Sequence, residues 1–186
     1  MLTAQKPLTA KNANEYGRTR RSFASPLRRR ALDILIGMPR EITTWEITTH
    51  SAGETIAFGR TLTGLLAPPK LVLLRGDLGA GKTTLVKGIV AGFEAAEEED
   101  VTSPTFTLVH EYRSPRANLY HIDLYRVDTQ RELETLGVDD LRADNSSILL
   151  IEWGEKFPRF LRERDVEIFL QRQSENERKI RLLSQA

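Results

Sequence analysis

The segment Gly76-Asp77-Leu78-Gly79-Ala80-Gly81-Lys82-Thr83 spells Gly, four residues, Gly, Lys and then Ser or Thr, a pattern that dictates a strand before it and a helix after it. Each fixed position has a physical reason. Glycines let the backbone turn so sharply that successive N–H groups face one concavity, at the partly positive N-terminus of a helix where phosphate oxygens bind. Lys82 brings a full positive charge to the β and γ phosphates, and the Thr83 hydroxyl is a ligand for magnesium. Gly79, Ala80, Gly81 and Thr84 complete the expected cradle. With glycine at about 7% of residues, the pattern arises by accident in fewer than roughly one in a hundred chains of this length.

The surroundings agree. Leu71-Val72-Leu73-Leu74 is a short apolar run of the kind a central parallel strand shows when both faces are covered, and it leads straight into the loop. Beyond the loop, Leu85, Val86, Ile89, Val90 and Phe93 fall at helical spacing. The acidic stretch 94–100 reads as an exposed connection. Upstream, Glu41 to Thr49 reads as a strand, and Ser51 with Glu54 caps a helix whose Phe58, Leu62, Leu65 and Leu66 share a face before Pro68-Pro69 ends it. Downstream, strands are expected at 105–112, 118–123, 148–151, 165–170 and 178–183, the last two joined by a turn at 174–177. Thr129 and Glu132 form a second capping box, for a helix over 129–136 that Gly137 stops. The fold class that follows is α/β of the P-loop NTPase type, a three-layer sandwich with a mostly parallel central sheet and a C-terminal antiparallel hairpin.

At 186 residues, with 28% charged and 40% hydrophobic side chains, the chain has the size of one domain. No apolar run reaches the roughly 18 residues of a membrane span, so a cytoplasmic protein is the default expectation. The chain has no cysteine, which excludes disulfide frameworks, thiolate metal sites and cysteine nucleophiles. His50, His110 and His121 lack a ligand-like spacing, and each is expected to be a surface or core histidine. The net charge of +1 hides an asymmetry, because residues 1–40 sum to +7 and residues 41–186 to −6. The basic arm at 1–40 carries Arg28-Arg29-Arg30 among small and polar residues and cannot bury enough surface to fold alone. It reads first as a solvated tail, then as a nucleic-acid tail or an organellar targeting segment. Residues 41–186 hold the domain.

Work on a γ phosphate needs a metal, an acid to hold that metal and a group to orient the nucleophile. Glu152 ends the apolar run Ile148 to Ile151, and Asp123 ends the run Leu119 to Ile122. Both would lie at the carboxyl edge of a parallel sheet, where ligands of open α/β folds bind. A surface carboxylate beginning a loop is the plain alternative for either one. Ser103-Pro104-Thr105-Phe106 lies where many phosphate-loop proteins place a switch that senses the γ phosphate. Thr105 could touch that phosphate or the magnesium; otherwise it simply starts a strand. Asp77 is expected to point to solvent, and Trp153 and Tyr125 to lie in the core.

Taken together, GDLGAGKTT at 76–84, TSPTFTLVHEY at 102–112, YHIDLYR at 120–126 and LLIEWGEKF at 149–157 resemble the bacterial TsaE family in order and spacing, over roughly residues 43–183. The loop alone is shared with many families, whereas the other three blocks are specific. The resemblance implies an ATPase, with ATP and Mg2+ as cofactors, that assists TsaB and TsaD in installing threonylcarbamoyl on the adenosine beside the anticodon of tRNAs that read codons beginning with A. Contact with tRNA would be through that complex. The resemblance further implies that Lys82 and Thr83 bind phosphates and magnesium, that Glu152 is the Walker B type acid, and that Asp123 is a further metal- or water-positioning acid. Thr105 would belong to the switch, and Trp153 to a sensitive position near the nucleotide. Hydrolysis by the chain alone would be slow, and the transferase site would lie in TsaD. The basic arm departs from typical members.

Three rival readings remain. A P-loop small-molecule kinase commonly carries an arginine-bearing lid, and here Arg126 and Arg131 are the only basic residues expected near the site. A GTPase is weakened by the absence of an Asn-Lys-x-Asp motif. The third is a nonenzymatic tRNA-binding module that uses the basic arm.

Overall fold

The computed structural model describes residues 42–185, so the basic arm and the readings attached to it lie outside the described residues. In chain order the elements are β1 (Ile42–Thr49), α1 (Ala52–Thr61), β2 (Lys70–Arg75), α2 (Lys82–Gly92), β3 (Val109–Arg113), β4 (Asn118–Asp123), α3 (Gln130–Thr135), α4 (Val138–Ala143), β5 (Ser147–Glu152), α5 (Pro158–Glu163), β6 (Val166–Arg172) and β7 (Arg178–Gln185). Short 3-10 turns sit at Leu62–Gly64, Glu98–Asp100 and Gly154–Lys156.

The strands form one seven-stranded sheet in the order β1-β7-β6-β2-β5-β4-β3. Its four central strands, β6, β2, β5 and β4, are parallel. Both edges are antiparallel, with β3 on β4 at one side and β7 then β1 beyond β6 at the other. A mostly parallel sheet therefore describes the centre better than the whole. For β3 on β4 and β7 on β6 the reason is local, since reversing direction takes only a tight turn while each parallel neighbour needs a crossover. The turn expected at 174–177 is present, closed by Gln173 N–H donating to Glu177 O at 2.9 Å.

Side chains alternate faces along a strand, and β2 divides its residues between two cores. Val72 and Leu74 meet Leu85, Ile89 and Phe93 of the α1–α2 side. Leu71 and Leu73 meet Leu133, Val138 and Phe160 of the α3–α5 side. Helices on both faces make the three layers, and they explain why β2 and β5 are apolar on both sides until Glu152. Both N-caps form, with Glu54 N–H donating to Ser51 Oγ at 3.0 Å, but only the box at Thr129 and Glu132 closes; Glu54 Oε2 accepts from His50 N–H at 2.8 Å instead of from Ser51. Helices α1 and α2 touch backbone to backbone. A Cβ placed on Gly88 would lie 2.0 Å from the Ile56 carbonyl oxygen, and one on Gly59 would lie 2.5 Å from that of Leu85. Among the described residues, no helix is long and apolar enough to cross a membrane.

Two local expectations fail. The strand predicted at 105–112 begins only at Val109, because the chain before it turns: Leu108 has φ +65° and donates its N–H to Pro104 O at 2.6 Å. The β-branched and aromatic content of that stretch mimics a strand without forming one. Helices α4 and α5, six residues each, lie outside the predicted elements. Neither is long enough to repeat a helical period convincingly.

Candidate phosphate-binding site

Parallel register brings the loop and the acids together. Glu152 is level with Leu74 of β2 on one side and with Asp123 of β4 on the other, so three strands end in one row and the glycine loop starts from it. Alternation places Glu152 and Asp123 on the face of Leu150 and Leu119, the face that carries α1 and α2.

The loop folds back over this row. Gly76, Gly79 and Gly81 have φ of 140°, 75° and 101°. A Cβ on Gly76 would also meet the Leu170 carbonyl oxygen at 2.2 Å, so the approach of β6 excludes any larger residue there. α2 opens at Gly81 with no side-chain cap, which leaves its first amides and its positive end available to an anion. Lys82 is only 4% exposed. Its Nζ donates to Gly76 O at 2.7 Å and to Asp77 O at 3.1 Å. It lies 4.3 Å from the centre of the Trp153 ring and 3.9 Å from Glu152 Oε2. Burial pushes its pKa below the ordinary lysine value, against the opposing pull of the Glu152, Glu155, Asp123 and Asp77 carboxylates.

The two acids grip different parts of the site. Glu152 Oε1 accepts from Thr83 Oγ1 at 2.9 Å, which ties β5 to the loop. Asp123 Oδ2 accepts from Ser103 Oγ at 2.9 Å and Thr105 Oγ1 at 3.0 Å, while its Oδ1 accepts from Tyr125 N–H at 3.0 Å. The hydroxyl of Thr83 and the two carboxylates form an all-oxygen donor set, which fits magnesium, an ion usually held by one or two carboxylates together with waters and phosphate oxygens. Among the described residues, no group of three or more His, Asp or Glu could cage a metal by itself.

A cavity of about 550 Å³ runs along this edge and is lined by Gly79, Gly81, Lys82, Thr83, Thr84, Thr105, Asp123 and Glu152. Of the predicted site residues only Ala80 does not line it; Ala80 is buried under the loop. Asp77 is exposed, as expected. Tyr125 is not a core residue, and Trp153 is one only in part, half-buried against the core on the α3–α5 side. They stand on the cavity wall with their ring centres 5.2 Å apart. Trp153 has φ +61°, a costly conformation for a residue with a side chain. Lys156 ties the neighbouring loop down by donating from Nζ to Leu124 O at 3.3 Å, Tyr125 O at 3.0 Å and Asp128 Oδ1 at 2.6 Å.

The basic residues also differ from expectation. Arg126 and Arg131 do not line the cavity; the Arg126 guanidinium lies 4.5 Å from the centre of the exposed Phe106 ring. Arg178, at the start of β7, lines it instead, together with Asn176 and Thr55. Nothing in the sequence marks that hairpin as part of a site. His121 was the more legible omission. It is fully buried with Nε2 2.8 Å from Glu152 Oε1, and its spacing of two from Asp123 puts it on the same face.

A parallel sheet that feeds a glycine loop at the head of a helix, with acids closing the neighbouring strands, defines a P-loop NTPase fold. The family model for "Threonylcarbamoyl adenosine biosynthesis protein TsaE" matches residues 49–180. The chain belongs to the TsaE family, which is named for tRNA threonylcarbamoyladenosine biosynthesis. It is 37% identical over 131 residues to the TsaE protein of Rickettsia prowazekii, a match that covers 70% of this chain and 89% of the relative. It is 36% identical over 139 residues to that of Aquifex aeolicus, covering 74% and 94%. With that of Haemophilus influenzae it shares 47% over 96 residues, covering 52% and 59%. The crystal structure of Bacillus subtilis YdiB superposes with a TM-score of 0.62 at 28% identity, covering 80% of this chain and 90% of that one.

Proposed function

We propose that this chain is a magnesium-dependent ATPase of the cytoplasm that works with TsaB and TsaD in the threonylcarbamoyl modification of tRNA adenosine beside the anticodon. The observation that carries the reading is the junction of loop and acid. Thr83 Oγ1 donates to Glu152 Oε1 at 2.9 Å with Lys82 Nζ 3.9 Å from the same carboxylate, in a cavity that also holds Asp123 and Thr105. Lys82 and the first amides of α2 bind the β and γ phosphates. Thr83, Glu152 and Asp123 hold the magnesium ion, which when bound neutralises charge on the phosphate oxygens. Asp123 links Ser103 and Thr105 to the γ end of the site.

Dependence on partners is supported by the surface around the cavity. Leu78 and Tyr125, which line the cavity, and Phe106, next to Thr105, are 75%, 46% and 83% exposed, and large apolar side chains left exposed beside a site offer contacts to a partner. Arg178, on the cavity wall, spends its Nη1 on the carbonyls of Ser174, Glu175 and Glu177. Those bonds fix the guanidinium without neutralising it, so its charge stays at the cavity wall beside Gly81.

Phosphate release from ATP is expected to be slow for the chain alone and to rise at least about tenfold, or 1.4 kcal/mol of barrier, when TsaB, TsaD and tRNA are added. Equal rates with and without them would sink the partner reading. Recovery of labelled γ phosphate on a metabolite instead of as inorganic phosphate would favour the small-molecule kinase.

A further inference from the structure

His121 sits in the middle of β4, wholly buried, level with Leu150 of β5. Its face of the sheet is otherwise apolar at Leu119 and Leu150. A polar ring in such a place is unfavourable unless its nitrogens find partners, and here only one does. Nε2 lies 2.8 Å from Glu152 Oε1, whereas Nδ1, equally buried, has no hydrogen-bond partner. A phenyl ring would fill similar space and leave nothing unpaired, so packing does not account for this residue.

What His121 does supply is a fixed donor to the carboxylate. Glu152 Oε1 accepts from two sides, from Thr83 Oγ1 at 2.9 Å and from His121 Nε2, while Oε2 faces the Lys82 ammonium at 3.9 Å. Glutamate is a flexible side chain that loses rotamer freedom when held. Released from His121, its carboxylate could swing onto Lys82 and neutralise the charge meant for phosphate.

We infer that His121 is a positioning residue: its Nε2–H pins Glu152 Oε1 beside Thr83, so that hydroxyl and carboxylate meet magnesium together and Lys82 stays available to phosphate. The inference rests on the magnesium-nucleotide reading proposed above. It adds to that reading an outer partner for a metal-holding carboxylate, the kind of contact whose loss typically weakens metal affinity about ten- to a hundredfold.

The test is calorimetric titration of ADP into the full chain and into His121→Phe, His121→Met and His121→Gln, in EDTA and across a magnesium series. Glutamine places an amide nitrogen near the position of Nε2 and keeps the donor, while phenylalanine and methionine fill the space without one. In EDTA, ADP affinity is expected to fall in the phenylalanine and methionine variants, where Glu152 is free to pair with Lys82, and to stay within about threefold of the unaltered chain in the glutamine variant. The magnesium concentration that gives half of the affinity gain is expected to rise about ten- to a hundredfold in the phenylalanine and methionine variants. The glutamine variant should stay within about threefold of the unaltered chain. Should one donor-free variant fail to fold in a thermal melt, the other carries the comparison. An unchanged magnesium requirement in a folded donor-free variant overturns the inference, and so does a glutamine variant as impaired as the phenylalanine one. If the unaltered chain binds no ADP in either condition, the phosphate-site reading itself falls, and this inference with it.

Discussion

Replacing Lys82 by alanine is expected to weaken ATP binding about a hundredfold or more, near 3 kcal/mol, while the fold is kept. The side chain is positioned for this before any phosphate arrives. Its Nζ bridges the carbonyls of Gly76 and Asp77 inside the loop and lies over the Trp153 ring. Burial already works against the ammonium and lowers its pKa, with Glu152 and its neighbouring acids opposing the shift. A polyphosphate would give that buried charge the counterion it lacks in full, which is why its removal should be felt in binding far more than in folding. The freed carbonyls lie at the rim of a cavity that water can enter. Calorimetry with Mg-ATP measures the loss, and a thermal melt of the same variant checks the fold. Normal nucleotide affinity in Lys82→Ala would refute the site.

Gly88→Ala is expected to lower unfolding stability by about 2 kcal/mol, or roughly 4–8 °C in the melting midpoint for a domain of this size. The direction runs against helix propensity, which favours alanine over glycine by about 1 kcal/mol in the middle of a helix. Geometry decides the sign. The new Cβ would lie 2.0 Å from the Ile56 carbonyl oxygen and 3.0 Å from Gly59 Cα. Those are backbone atoms of α1, and they cannot rotate away as a side chain would. The α1–α2 contact must open, and with it the wall that Thr55 of α1 and Thr83 of α2 share along the cavity. Gly64→Ala is the control, since nothing lies within 4 Å of its Cβ position, and its effect should stay within about 0.5 kcal/mol. Matching midpoints for the two variants would show that the helices are not in backbone contact.

The parts of this fold that follow short-range rules were legible in the sequence. The glycine loop announces its own strand and helix, and the apolar runs before Asp123 and Glu152 place both acids at strand ends. The N-caps Ser51 and Thr129 mark helix starts to the residue. What was not legible depends on which strands become neighbours. Only the register that sets His121 level with Leu150, two residues before Glu152, makes it a partner of that acid. Arg178 reaches the cavity because the β6–β7 hairpin folds back beside β2, a long-range pairing that leaves no local mark. Trp153 was legible only in part, since it packs against the core and also lines the cavity. An aromatic after an apolar strand usually continues the core, but its positive φ turns the chain out at the strand end and leaves the ring against Lys82. Thr105 to Leu108 has the composition of a strand and yet turns, so that the hydroxyls of Ser103 and Thr105 can both reach Asp123.

A structure of the chain determined with magnesium and a non-hydrolysable ATP analogue tests the central claim most directly. The account predicts the β and γ phosphates on the backbone amides of residues 79–84 and on Lys82 Nζ, with the metal ligated by Thr83 Oγ1 and a carboxylate of Glu152 or Asp123 in its shell. An analogue seated away from the loop, or a metal out of reach of Thr83, Asp123 and Glu152, would contradict it.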